Sequence, residues 1–179
     1  GPSLRIALLH TVFEEAGGAE RLAISMARAL GELGHEVDLY TTYLDERAWS
    51  LLAGPGDPRP SVIKVRYAGA LRAVLGVRGV RLRKLLALAE LNERLREGLL
   101  SGYDATMETQ ANVPMGVDVS YIHYPIMLDI LADRRGGPIW GTYNWLVRRA
   151  AKKALGSPLM VITNSTWTAA KIREAYGLE

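Results

Sequence analysis

The stretch Leu4-Arg-Ile-Ala-Leu-Leu-His10, followed after a short turn by Glu15-Ala-Gly-Gly-Ala-Glu-Arg21, decides the fold. The first segment is an almost unbroken apolar run, which is typical of a strand buried on both faces of a sheet. The second segment leads into a helical pattern over residues 22–33. Gly17 and Gly18 lie at the junction and predict a tight strand-to-helix turn. This order of strand, turn and helix predicts an α/β domain with a parallel sheet.

Short apolar runs and longer helical patterns alternate along the rest of the chain. The predicted strands are 4–10, 35–41, 61–67, 104–108, 117–123 and 159–163, and the predicted helices are about 22–33, 44–52, 80–100, 126–132, 139–155 and 165–176. The apolar stripe predicted to face the sheet from the first helix is Leu22, Met26, Ala29, Leu30 and Leu33. We therefore predict a doubly wound, Rossmann-like α/β domain with a parallel sheet of six or seven strands and helices on both faces.

Composition bounds the chemistry. The chain has 179 residues, of which 49% are hydrophobic, so one domain can bury a core without disulfides. It contains no cysteine, which excludes disulfides, thiol nucleophiles and Cys-ligated metal sites. Its three histidines are too widely separated to suggest a metal site, so no metal or other cofactor is expected. Gly1-Pro2 resembles the remnant of a cleaved tag and is left out of the fold.

The net charge of +3 is too small to indicate nucleic acid, but its distribution is uneven. Seven cations and no acid lie between residues 64 and 84, and a second basic cluster follows on the predicted helix 139–155. Mixed with apolar and aromatic residues, these segments favour an anionic membrane surface. The alternatives are a solvated helix face and a basic stretch that binds an anionic substrate. The candidate membrane-facing residues are Arg78, Arg81, Lys84, Trp145, Arg148, Arg149, Lys152 and Lys153.

The glycine turn is a candidate phosphate contact. Gly17 and Gly18 allow a ligand to approach the backbone, and the N–H groups at a helix start favour an anion. The turn matches neither the dinucleotide fingerprint nor the phosphate-binding loop that ends in Gly-Lys-Ser/Thr. The alternative is a turn that needs glycine for geometry alone.

Side chains at the carboxyl ends of the predicted strands are further candidates, because these ends meet in one crevice. His123 can bind a sugar hydroxyl or phosphate or transfer a proton there, or it can simply cap loop carbonyls. His10 faces the same crevice, and Glu108 is the acid best placed for it. Most of the other acids near strand ends, Glu14, Glu15, Glu20 and Asp118, are expected at the solvated surface. The remaining cleft candidates are Tyr124, Asn164 and Ser165, of which Asn164 or Ser165 is also expected to cap the last helix.

Several segments together resemble a known family. The strand, the turn Gly17-Gly-Ala-Glu-Arg21 and the segment Leu33-Gly-His-Glu-Val-Asp-Leu-Tyr-Thr41 resemble the opening of retaining GT-B glycosyltransferases of the family 4 type. Tyr121-Ile-His-Tyr-Pro125 and Ile162-Thr-Asn-Ser-Thr-Trp-Thr168 are similar to segments of mannosyltransferases that extend lipid-pyrophosphate-linked oligosaccharides on the cytosolic face of a membrane.

The resemblance implies that residues 3–179 form the N-terminal, acceptor-binding lobe, and that a separate C-terminal lobe binds the nucleotide sugar. It implies that Gly17 and Gly18 face the donor diphosphate and sugar, and that His123 contacts the sugar near the reacting carbon. The implied reaction moves a sugar, with mannose expected, from a GDP- or UDP-sugar to a lipid-linked or glycan acceptor, with retention and without a metal.

The implied enzyme lies in the cytoplasm, peripheral on the cytosolic face of a membrane, and this lobe alone is expected to be inactive. Two other functions stay open. One is a GT-B transferase with a soluble acceptor, and the other is a non-catalytic α/β binding module.

Overall fold

The structure is a computed structural model that describes residues 1–65, 80–124 and 137–177. In chain order the elements are β1 (Arg5–Leu9), β2 (Val12–Phe13), α1 (Gly18–Glu32), β3 (Glu36–Thr41), β4 (Tyr43–Leu44), α2 (Glu46–Leu52), β5 (Ser61–Val62), α3 (Val80–Arg96), β6 (Ala105–Glu108), β7 (Val119–Ile122), α4 (Pro138–Ala154), β8 (Met160–Thr163) and α5 (Thr166–Tyr176).

Six of the strands form one parallel sheet in the order β5-β3-β1-β6-β7-β8. The chain builds this sheet outward from β1 through β3 to β5, and then crosses to the other side of β1 for β6, β7 and β8. Open α/β sheets bind ligands in the crevice outside the carboxyl ends of the strands at such a reversal, which here is the junction of β1 and β6. The predicted Rossmann-like sheet is confirmed. The small sheet formed by β2 and β4 was not predicted, because two-residue strands leave no periodic pattern.

Helices cover both faces of the sheet, as predicted. Leu8 and Leu9 are neighbours on β1, so their side chains point to opposite faces. Leu8 packs in a buried cluster with Ile24 of α1, whereas Leu9 packs in another cluster with Leu88 of α3 and Val147 of α4. The α1–α2 layer therefore lies on one face and the α3–α4 layer on the other.

The predicted apolar stripe of α1 is confirmed only at Met26, which packs against the buried cluster, and the most buried face of the helix is rotated away from the rest of the stripe. The buried residues of α1 are Glu20, Ala23, Ile24 and Ala27, whereas Leu33 beyond its end is 74% exposed. The small alanine side chains let the helix backbone approach the sheet closely, so this face turns inward and the larger leucines flank it. A stripe assigned by residue size alone misses this packing.

Other predicted boundaries differ in detail. The third strand is only β5, since Lys64 and Val65 already lie outside it, and residues 66 and 67 lie outside the described residues. The predicted helix 126–132 also lies outside them. On α4, Val147 and Ala150 are buried, whereas Leu146 is 39% exposed. None of the helices in the described ranges is both long and apolar enough to cross a membrane.

Candidate active site

The candidate residues lie at the carboxyl edge of the sheet, around the crevice beside β1. His10 follows β1, Glu108 ends β6 and His123 follows β7. The helix α1 begins at the same edge with Gly17 as its N-cap residue. Hydrogen bonds connect these segments to one another, so the structure brings the main sequence candidates into one cluster.

His10 is fully buried and joins three segments. Its Nδ1 lies 2.8 Å from the hydroxyl of Thr109, which follows β6. Its Nε2 lies 3.5 Å from Oε1 of Glu20 on α1. At this distance the contact is electrostatic and longer than an ordinary hydrogen bond. His10 therefore connects the end of β1 to α1 and to the loop after β6.

Glu20 corrects an expectation, because it was grouped with acids of the solvated surface but is only 6% exposed. The backbone N–H groups of Gly17 and of Glu20 itself lie near its carboxylate and favour the ionised form. A glutamate three residues after the N-cap that reaches back to the N-cap N–H is half of a capping box. Burial opposes ionisation, but the contact with His10 and the nearby backbone N–H groups hold the pKa of Glu20 below its usual value.

Gly17 and Gly18 have different surroundings. A side chain at Gly17 would place its Cβ 2.9 Å from Oε2 of Glu20, so the carboxylate would have to move. A Cβ at Gly18 would meet nothing within 4 Å. The Glu20 carboxylate therefore fills the space beside Gly17. The space beside Gly18 is open, and a ligand has room to approach there. The contact of both residues with a donor stays a prediction.

Glu108 organises the loop that follows β6. It is fully buried, and its Oε1 accepts hydrogen bonds from the Thr11 hydroxyl at 3.0 Å and from the backbone N–H groups of Gln110 at 2.6 Å and Ala111 at 2.7 Å. The side chain lies at the predicted strand end, but these bonds fix the loop beneath the crevice surface.

His123 is half-buried and held by two contacts. Its Nε2 lies 2.8 Å from the carbonyl oxygen of Thr109. A carbonyl oxygen only accepts, so Nε2 carries the hydrogen, and Nδ1 is the accepting nitrogen of the neutral ring. The backbone N–H of His123 donates to Oδ1 of Asn112 at 3.0 Å, and the N–H of Tyr124 donates to the same oxygen at 3.2 Å. One amide therefore fixes both residues after β7.

An aromatic pair borders His123. The rings of Tyr124 and Trp167 stack with their centroids 6.4 Å apart and an angle of 22° between their planes. They are 38% and 56% exposed. Trp167 was not among the sequence candidates; its only signal was its place in the quoted segment 162–168.

The two remaining cleft candidates lie beside the start of α5. Ser165 is the N-cap residue of α5, because its hydroxyl accepts the N–H of Thr168 at 3.0 Å. This confirms the predicted capping. Asn164 is exposed, and its Oδ1 accepts from the Thr168 hydroxyl at 3.4 Å.

The basic face of α4 is solvent-exposed. Trp145 is 56% exposed, and the Arg149 guanidinium lies 5.4 Å from the centroid of its ring. Arg148, Lys152 and Lys153 are exposed as well. We call these five residues the α4 basic surface. Arg78 and the side chains of Arg81 and Lys84 lie outside the described residues.

Across residues 1–65, 80–124 and 137–177, no group of three or more His, Asp or Glu side chains is arranged to hold a metal ion. The expectation of a metal-independent reaction stays a prediction.

Comparison with known proteins gives one family. The model of Glycosyltransferase Family 4 matches residues 16–179, which include every candidate residue except His10. Among solved structures, the glycosyltransferase SnogD from Streptomyces nogalater is similar, with 18% sequence identity and a TM-score of 0.46 over 92% of this chain. The chain spans 45% of the SnogD chain. No curated protein matches it significantly.

Proposed function

Because the chain belongs to glycosyltransferase family 4, we propose that it is the acceptor-binding half of a GT-B enzyme that transfers a sugar from a nucleotide sugar with retention. The observation that carries the proposal is the hydrogen-bonded cluster at the carboxyl edge of β1 and β6. It links the glycine turn to His123 through Glu20, His10 and Thr109. A second lobe, which binds the nucleotide, completes the proposed enzyme.

The glycine turn supplies the contacts for the leaving diphosphate. The N–H groups of a first helical turn have no backbone acceptor within the helix, and the helix dipole favours an anion there. The N–H of Glu20 lies near its own carboxylate, so Gly18 and Ala19 supply the donors proposed for the diphosphate. Gly18 is open on its Cβ side, which leaves these donors accessible. Fixed N–H donors stabilise negative charge that develops in the transition state. This provides charge stabilisation without a divalent metal.

His123 supplies the contact to the transferred sugar. Its Nε2 is held by the Thr109 carbonyl, so Nδ1 is the atom that accepts a hydrogen bond from a sugar hydroxyl. Because the ring and the backbone are fixed by separate contacts, the histidine orients the sugar before reaction. Such positioning lowers the entropic part of the barrier.

The aromatic pair next to His123 supports a glycan as the acceptor. Binding sites for small molecules combine aromatic faces with a few polar groups. The exposed rings of Tyr124 and Trp167 offer apolar faces to the C–H side of a sugar ring, and the exposed Asn164 precedes Trp167 by three residues in the chain. We propose that the acceptor sugar binds on these rings, within reach of the crevice.

The α4 basic surface supports a lipid-linked acceptor. A tryptophan surrounded by exposed cations suits the boundary of an anionic bilayer. Ile139 and Trp140 at the start of α4 are also exposed, at 83% and 36%. We propose that this surface holds the enzyme at the cytosolic face of a membrane, where mannose or another sugar is transferred to a lipid-linked oligosaccharide.

Transfer by the full-length protein tests the proposal. Radiolabelled GDP-mannose, UDP-glucose and UDP-N-acetylglucosamine are each incubated with the protein and a membrane lipid extract. Label that enters the lipid phase from one donor identifies the donor and supports the lipid-linked acceptor. Label that enters only water-soluble glycans overturns the lipid-linked part, and transfer from none of the three counts against the enzyme.

A vesicle experiment tests the membrane contact separately. The wild type should sediment with anionic vesicles in a salt-sensitive manner, whereas the Arg148→Glu, Lys152→Glu double variant should not. Lys171→Glu is the matched control, since Lys171 lies on α5 and is paired with Glu174. Equal sedimentation of the wild type and the double variant would remove the α4 basic surface from membrane binding.

A further inference from the structure

Glu20 lies where α1, β1 and the loop after β6 meet, and we propose that it is a positioning residue that holds the Gly17–Gly18 turn in its donor-binding conformation. This inference rests on the proposed function, because it takes the turn to face the donor. It assigns a role to a carboxylate that the sequence placed at the surface.

On the helix side, Glu20 replaces a missing cap. The N-cap residue Gly17 has no side chain and makes no side-chain capping bond. The Glu20 carboxylate instead lies against the turn, with Oε2 2.9 Å from the position that a Cβ of residue 17 would take, and the nearby N–H groups of Gly17 and Glu20 favour its charge. A residue of the helix itself, Glu20, therefore orders the turn. The space beside Gly18 stays open to a ligand.

On the sheet side, the same carboxylate is anchored by two side chains. His10 Nε2 lies 3.5 Å from Oε1, and Gln110 Nε2 donates to Oε1 at 3.3 Å. Gln110 is itself held, because the backbone N–H of Val12 donates to its side-chain oxygen. These contacts fix the start of α1 relative to the ends of β1 and β6.

The network continues to His123 through one residue. The Thr109 hydroxyl contacts His10, and the Thr109 carbonyl accepts from His123, each at 2.8 Å. The donor-facing turn and the sugar-contacting histidine therefore share one support. Loss of Glu20 should loosen the turn first, because its carboxylate lies directly against the turn.

Glu20 does not itself bind the donor. Its side chain is only 8% exposed, and an ionised carboxylate repels a diphosphate. Its effect must reach the donor through the backbone of the turn. This separates Glu20 from a catalytic residue and gives it a distinct kinetic signature.

Hydrogen exchange measures the ordering of the turn. In the full-length protein, peptides that cover residues 14–22 are followed by mass spectrometry, with a peptide from β1 as the internal reference. Glu20→Ala should speed exchange of the turn by roughly tenfold or more while β1 is unchanged, because the lost bonds involve a charged acceptor. Glu15→Ala is the matched control, since Glu15 is an exposed carboxylate of the same turn.

Glu20→Gln is the second variant, to be used if Glu20→Ala does not fold. Glutamine keeps the size of the side chain and an oxygen that accepts hydrogen bonds. Its turn should exchange at a rate between those of the wild type and Glu20→Ala. Unchanged exchange of the turn in both variants would overturn the proposal. Faster exchange in every peptide alike would also overturn it, since that pattern reports general destabilisation.

Steady-state kinetics measure the consequence for the donor. Glu20→Ala should lower kcat/KM for the nucleotide sugar by roughly tenfold or more and leave the KM for the acceptor unchanged. A kcat/KM for the nucleotide sugar equal to that of the wild type, or a KM for the acceptor that rises as well, would overturn the proposal. If the wild type transfers no sugar from any donor, the proposed function fails, and the exchange rates still decide whether Glu20 orders the turn.

Discussion

Replacing Gly17 and Gly18 one at a time by alanine should give opposite effects on stability. At Gly17 the new Cβ would lie 2.9 Å from Oε2 of Glu20, so the carboxylate must move. Moving it weakens its contacts with His10 and Gln110. A hydrogen bond to a charged group contributes about 1.5–3 kcal/mol, and partial relaxation leaves an expected loss of about 2 kcal/mol. For a chain of this size that loss lowers Tm by about 4–8 °C.

Gly18→Ala is the matched control in the same turn. Nothing lies within 4 Å of its added Cβ, and Gly18 is the first residue of α1. Alanine is favoured over glycine in a helix interior by up to about 1 kcal/mol, so Tm should stay level or rise slightly. Thermal unfolding followed by circular dichroism measures both variants. Equal Tm values for Gly17→Ala and the wild type, or an equal loss in both variants, would refute the role of Glu20 in packing the turn.

Three further predictions follow from the same contacts. His123→Ala should lower turnover by about 10- to 100-fold, the equivalent of one strong hydrogen bond to the sugar, while the protein stays folded; turnover equal to the wild type would remove His123 from the site. Trp167→Ala should raise the KM for a water-soluble glycan acceptor by roughly 2- to 12-fold, since an aromatic contact contributes about 0.5–1.5 kcal/mol. The control variant Trp145→Ala should leave this KM unchanged. Equal KM values in the two variants would argue against acceptor binding on Tyr124 and Trp167. Because the folded-state pKa of Glu20 is lowered, its ionised form stabilises the protein above pH 4.5, and this contribution is lost as the pH falls below that value. The difference in unfolding free energy between the wild type and Glu20→Gln should therefore shrink between pH 6 and pH 3 in denaturant titrations, and a difference that stays constant would contradict the shifted pKa.

The sheet could be predicted because its signals are local. Each buried parallel strand is a short apolar run, and the glycine turn after β1 marks where the first helix begins. The position of His10, Glu108 and His123 at strand ends follows from the same pattern, since parallel strands share one carboxyl edge.

The network around Glu20 could not be predicted, because it depends on which face of α1 turns inward. Ala23 and Ala27 are small, so the helix packs closely on the face that also carries Glu20. A charged residue in an amphipathic pattern predicts the solvent-facing side of a helix. Glu20 is buried because its carboxylate contacts His10 and Gln110, and the sequence pattern does not show these contacts. Trp167 was missed for a similar reason, because its partner Tyr124 is distant in sequence.

The glycine turn is proposed to bind the donor in sugar transfer. The most direct measurement compares the transfer rate of full-length wild type with that of Gly18→Val, at a temperature where circular dichroism shows both to be folded. Valine should be tolerated in the folded state, since its Cβ meets nothing within 4 Å. The account predicts that it abolishes transfer by blocking the donor at the turn. A folded Gly18→Val variant that transfers sugar at the wild-type rate would contradict it.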